Sequence, residues 1–190
     1  GTASNLPRAA TPAPIAYEFL GSRYTLKDYL DRRRATSLLI MKDGVIHHEH
    51  YQYDRNERHR FNSASMGKSV MGLLVGLAIE DGAIHSVDDL VVRYLPELKG
   101  TSFEKIKVKD LLTMSSGLAW SEGNASGGLY RQMLQAMDQK GGMDVLLTFK
   151  NQNTAAEPGT SYFYSSLDSE ILGRVLASAL KKNVSAYLEE

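Results

Sequence analysis

The chain contains no cysteine among its 190 residues. That excludes disulfides, a thiolate metal site and a cysteine nucleophile, and it fits any redox compartment. Neither sign of charge is in excess: 22 basic and 22 acidic side chains give a formal net charge of zero. A nucleic-acid binder usually shows a basic surplus, so no nucleic-acid partner is expected. Long apolar runs are missing too. The longest, Val70 to Ile79, falls short of the ~20 residues that cross a bilayer, and no membrane span is expected. There is no G-x-S-x-G elbow, no phosphate loop and no internal repeat. No signal peptide is visible at Gly1, so the chain reads as cytosolic or already processed. What is present is ordinary for a folded chain: 43% hydrophobic and 23% charged residues. At ~100–200 residues per domain, the length allows one domain or part of a larger one.

Residues 1–16 are rich in Ala, Pro, Ser and Thr and read as a flexible leader. A short helix is expected over Thr25 to Arg33. Two strand-like runs, Ser37–Lys42 and Val45–Tyr51, flank Asp43-Gly44, a strong hairpin signal because both turn residues need φ > 0. Residues 65–81 carry apolar side chains all round, which predicts a buried helix ending at Gly82. Ser86 reads as the N-cap of a helix to about Tyr94. Further helices are expected at 107–114, 126–139, 143–149 and 167–181. Two strands make no stable sheet alone, so the hairpin needs more strands or a covering helix.

Ser65-Met66-Gly67-Lys68 is an S-x-x-K element, and Ser102–Lys105 and Ser178–Lys181 repeat the pattern. With 18 serines and 11 lysines, chance supplies about one match, so the pattern alone says little. Context separates Ser65 from the others. It stands at the predicted start of an apolar helix, where unpaired N–H groups and the dipole favour negative charge. Lys68 lies one turn on, on the same face. At the head of a buried helix a lysine loses water, and a neutral amine can take a proton from a hydroxyl. The bland alternative is an N-cap serine beside a snorkelling lysine. A second segment, Glu157 to Ser166, opens with a Pro-Gly turn and runs through Tyr162, Phe163 and Tyr164 into a helix. A tyrosine there is usually a core residue with its hydroxyl tied off, unless it reaches a serine–lysine pair.

Together, residues 61–98, the IKVKDLLTMSSGLAW stretch of 106–120 and residues 157–190 resemble the serine hydrolases of the class C β-lactamase and penicillin-binding-protein superfamily. LLTMSSGLAW and YSSLDSEILG are most similar to its 6-aminohexanoate-dimer hydrolase and esterase branch. The resemblance implies an α/β (α+β) β-lactamase-like fold, an antiparallel sheet flanked by helices plus a mostly helical subdomain. It implies that residues 17–190 are the N-terminal part of one catalytic domain, with the hairpin and helices but not the returning strands. It implies Ser65 as nucleophile, Lys68 and Tyr164 as the acid/base pair, and Ser166 as a substrate-binding residue. No cofactor and no metal are implied. The partners implied are a small ester or amide substrate and a second polypeptide segment that completes the sheet. A periplasmic or secreted location is favoured over a cytoplasmic one.

Two departures from the family pattern shape the functional expectation. Its second motif is usually Tyr-x-Asn, whereas Tyr164 is followed by Ser165 and Ser166. A serine hydroxyl cannot present an amide's donor and acceptor together, which weighs against penicillin-type recognition more than against hydrolysis. The third motif, Lys/His-x-Gly on a strand, lies well beyond the second, and this chain stops before it. That strand would carry the second oxyanion donor; Ser65 N–H would be the first. The leading reading is therefore a serine hydrolase of short esters or linear amides. A β-lactamase, a non-hydrolytic penicillin-recognising sensor and a fragment with a decayed site are the alternatives.

Among weaker features, His47, His48, Glu49 and His50 suggest a metal, but strand alternation puts them on two faces and a solvated strand is the better reading. Arg32, Arg33 and Arg34 fall at a helix end, where the dipole favours them.

Overall fold

A computed structural model describes residues 5–122, 128–139 and 142–190, with backbone alone at 142–144. The first four residues of the leader, and the first two of the helix expected from 126, lie outside the described residues. The chain forms two compact units, Gly1–Asn62 and Ser63–Glu190.

The first unit is built on two antiparallel hairpins. Strands β1 (Ala16–Phe19) and β2 (Ser22–Thr25) pair through Leu20-Gly21. Thr25 then caps helix α1 (Leu26–Arg32) in a capping box with Asp28. Strands β3 (Ser37–Lys42) and β4 (Val45–Tyr51) pair through Asp43-Gly44, whose φ values of 52° and 76° are those the Asp-Gly signal requires. A register shift falls between Ile40 and Met41. The leader is partly engaged: Ile46 N–H donates to Pro7 O at 2.8 Å, and Ala9 N–H donates to Ile46 O at 2.9 Å. The histidines of β4 are occupied locally. His48 and His50 rings stack at 5.9 Å, and Glu49 is held by Arg8 and the Tyr51 hydroxyl. Among the described residues neither hairpin gains a third named strand.

The second unit is helical. A single 3-10 turn, Ala64–Met66, leads into α2 (Gly67–Glu80); α3 (Val108–Leu112), α4 (Leu129–Gln139), α5 (Gly142–Thr148), α6 (Ser166–Leu180) and α7 (Val184–Glu189) follow. Leu167, Ile171, Val175 and Leu176 of α6 are buried with Phe103, Ile106 and Leu111. Two expectations fail here. The helix expected from Ser86 to Tyr94 is a lone 3-10 turn, Val91–Arg93, because Asp89 binds back to Ser86 N–H and the Tyr94 hydroxyl. Helix α2 is not buried all round. It packs against α6, and Leu74, Val75 and Ala78 are buried. Leu73 and Leu77 of α2 remain 71% and 50% exposed. No described helix is long and apolar enough to cross a membrane.

Candidate active site

The site begins at the approach to α2. Ala64 has a φ of 44°, left-handed backbone that costs a non-glycine residue of the order of 1 kcal/mol. The 3-10 turn that follows sets Ser65 ahead of the first turn of α2. Neither Ser63 nor Met66 caps this start through a side chain. Ser65 is exposed and Lys68 half-buried, so the expected desolvation of the lysine is only partial in this chain. Lys68 Nζ donates to Ser65 Oγ at 3.3 Å.

Tyr164 arrives from a segment fixed at several backbone points. Gly159 N–H donates to Ser115 O at 2.7 Å, and Phe163 N–H to Met114 O at 2.8 Å. The turn it leans on needs Gly117: at φ 76°, a Cβ there would stand 2.1 Å from Ala156 O. The Tyr164 hydroxyl donates to Ser65 Oγ at 2.6 Å, and Lys68 Nζ lies 5.2 Å from the Tyr164 ring centroid. Hydrogen bonds that Ser65, then Lys68, can donate to the phenolate hold the Tyr164 phenol below its ordinary value, against desolvation and the nearby Glu122 charge. Ser65 and Lys68, one turn apart, and Tyr164, 99 residues beyond Ser65, thus form one hydrogen-bonded cluster.

Ser166 is the first residue of α6. Its hydroxyl donates to Glu122 Oε2 at 3.1 Å and its N–H to Glu122 Oε1. The Trp120 indole N–H donates to the same Oε1 at 2.6 Å. Beneath, Ser165 Oγ caps α6 by accepting from Asp168 N–H at 3.1 Å. Asp168 is wholly buried and accepts from Ser116 Oγ at 2.8 Å. Burial pushes its carboxyl up to about 6, against the Ser116 and Ser165 hydrogen bonds that pull it down. Glu122 and Asp168 were not singled out from sequence. Glu122 meets Ser166 across 44 residues and Asp168 meets Ser116 across 52, and no local pattern marks such pairs.

The other two S-x-x-K serines spend their hydroxyls on backbone: Ser102 donates to Lys150 O at 3.0 Å and Ser178 to Tyr94 O at 2.6 Å. Among the described residues no group of His, Cys, Asp and Glu could hold a metal ion.

The Beta-lactamase family model matches residues 24–190. The chain belongs to the Beta-lactamase family. A curated relative from Pseudomonas fluorescens, named beta-lactamase, is 26% identical over 130 residues, covering 68% of this chain and 33% of its own length. A solved Bacillus anthracis protein assigned as a 6-aminohexanoate-dimer hydrolase superposes with a TM-score of 0.80 at 22% identity, over 94% of this chain and 49% of that one. EstCE1, a hydrolase with promiscuous acyltransferase activity, gives 0.65 at 22% identity, over 86% of this chain and 47% of that one. At these identities the two structures show the fold: β-lactamase-like, with small antiparallel sheets and helices. The chain spans about a third of the curated relative and about half of each of these structures.

Proposed function

We propose that the protein carrying this chain is a serine hydrolase that cleaves a short ester or linear amide through an acyl-enzyme on Ser65. The observation that carries this is Ser65 Oγ held between Lys68 Nζ at 3.3 Å and the Tyr164 hydroxyl at 2.6 Å. Lys68 and Tyr164 act as one acid/base pair. The pair takes the Ser65 proton as Oγ attacks the carbonyl carbon. The tetrahedral oxyanion collapses, the bond to the leaving oxygen or nitrogen breaks, and Tyr164 returns the proton to that atom. Water then attacks the acyl ester and is deprotonated by the same pair, releasing the acid and Ser65. The Ser65 N–H serves as one oxyanion donor. In this reading residues 17–190 are the N-terminal part of a catalytic domain. A further segment supplies the sheet strands and the second donor.

A β-lactamase is the second reading, favoured by the name of the curated Pseudomonas fluorescens relative. Ser166 in place of the family's usual asparagine weighs towards the ester or linear amide.

A fluorophosphonate label on the full-length protein, mapped by mass spectrometry, should fall on Ser65. A chromogenic ester should show a burst followed by turnover, and a chromogenic cephalosporin much slower release. Label on another serine removes the assignment; faster turnover of the cephalosporin than of the ester reverses the order of the two readings.

A further inference from the structure

Glu122 is a carboxylate whose hydrogen-bond partners are neutral. Oε1 accepts from Trp120 Nε1 at 2.6 Å and from Ser166 N–H, and Oε2 accepts from Ser166 Oγ at 3.1 Å. Among the described residues no lysine, arginine or histidine pairs with it. Three neutral donors fix where the carboxylate sits without cancelling its charge. Trp120 is itself buried, so the anchor is not a mobile surface group. Ser166 follows Tyr164 by two residues, and Tyr164 donates to Ser65. The Glu122 charge is felt at Tyr164, where it opposes the effect of Lys68.

We propose that Glu122 is a specificity-determining residue of this site, an anchored negative charge with no cationic hydrogen-bond partner among the described residues, which favours substrates carrying a cationic group, such as a quaternary or primary ammonium, and disfavours those carrying a carboxylate near the scissile bond. This rests on the serine-hydrolase reading above. It gives the preference for esters and linear amides over β-lactams a second cause, since penicillins and cephalosporins bear a carboxylate beside the reacting ring. At ~8–10 Å and a dielectric between those of protein and water, one unit charge changes local substrate concentration about fivefold. A cationic and an anionic substrate of equal shape should then differ by about 25-fold, the product of the two effects.

The test uses full-length protein and three p-nitrophenyl esters of equal chain length: an unsubstituted alkanoate, an ω-carboxyalkanoate and an ω-trimethylammonioalkanoate. At low ionic strength the kcat/KM ratio of cationic to anionic ester should exceed about tenfold, and Glu122→Gln should bring it to within about twofold of unity. Glu122→Asp should retain a ratio above unity. If Glu122→Gln proves unstable, the unaltered protein still decides. Salt raised to ~0.5 M should collapse its ratio, because the screening length then falls well below the distances involved. A wild-type ratio near unity overturns the proposal. So does a ratio that Glu122→Gln leaves unchanged, or an equal loss for all three esters, which marks Glu122 as structural. No turnover of any ester and no label on Ser65 would instead remove the hydrolase reading itself.

Discussion

At the start of α6, Ser165 Oγ accepts the Asp168 N–H at 3.1 Å, and Asp168 is sealed beneath Ser116 with no solvent exposure. At the start of α2, neither Ser63 nor Met66 caps through a side chain, and Ser65 is exposed. Both starts carry serines, but the hydroxyls are used differently. Ser165 spends its hydroxyl on its own helix, which contributes about 1 kcal/mol to stability. Ser65 spends none on capping, and its oxygen is met by Lys68 and Tyr164 instead. A helix start that forgoes side-chain caps gives up local stability and keeps its N–H groups for an oxygen of other origin. The anchored start holds Tyr164; the open start presents Ser65. Ala64, at φ 44°, adds backbone strain on the open side only.

The sharpest way to break this division of labour is to remove the oxygen on the open side. Ser65→Ala in the full-length protein should lower kcat for an ester by about 10⁴-fold or more, as removal of a nucleophilic serine does elsewhere. Its melting should barely move, since an exposed side chain away from the core contributes within ±0.5 kcal/mol. A large loss of stability would mean that Ser65 is a cap after all. Next in size is Tyr164→Phe, which should cost about 10²–10⁴ in kcat/KM, the usual share of a general acid/base. The Tyr164 phenol is held below its ordinary value, and in the proposed mechanism its phenolate is the base. Activity should therefore rise with pH through an acid limb that lies below the range of a free phenol. That limb should change shape in Tyr164→Phe, and an identical pH profile would assign the proton transfer elsewhere.

How far these two starts could be read in advance differs for physical reasons. Ser65–Lys68 is a local pattern at helical spacing, and Tyr164 follows a Pro-Gly turn, so both were legible together with the family resemblance. The Asp43-Gly44 hairpin was legible because its residues suit left-handed backbone. The Leu20-Gly21 hairpin was not, because leucine at a φ of 50° is the opposite of a turn preference. Asp168 and Glu122 act across 52 and 44 residues, where no periodicity reports a partner. The burial of α2 was overread because an apolar circumference says what a helix can cover, not what covers it. The helix expected from Ser86 rests on Ser86 as an N-cap, but Asp89 binds the Ser86 N–H and the Tyr94 hydroxyl, and only the Val91–Arg93 turn forms.

The anchored side can be loosened by pH. Burial raises the Asp168 carboxyl to about 6, above the ~3.9 of an unfolded aspartate. Between those values the folded chain holds more protons than the unfolded one. This group's contribution is therefore fully present below about pH 4 and declines as pH rises through 6. The whole decline is about 3 kcal/mol, an order-of-magnitude figure from the two values. Asp168→Asn removes the titration while keeping an acceptor for Ser116. The stability of the variant relative to the parent should therefore improve with pH across pH 4 to 7, by up to about 3 kcal/mol in urea titrations. A difference that stays flat with pH would show that Asp168 keeps an ordinary acidity in the folded protein.

The smallest effect tests the comparison most directly, because it makes the same change at both helix starts. Ser165→Ala deletes an observed cap and should cost about 1 kcal/mol. Ser63→Ala deletes a hydroxyl that makes no side-chain cap and should stay within about 0.5 kcal/mol. Both are read as shifts in the urea midpoint of the full-length protein at one pH. Activity should separate them too. Loss of the Ser165 cap frees the first turn of α6 and with it the Tyr164 hydroxyl, so kcat should fall more than for Ser63→Ala. Equal destabilisation by the two substitutions would mean that the α2 start is capped as firmly as that of α6, and the contrast between an anchored and an open helix start would be lost.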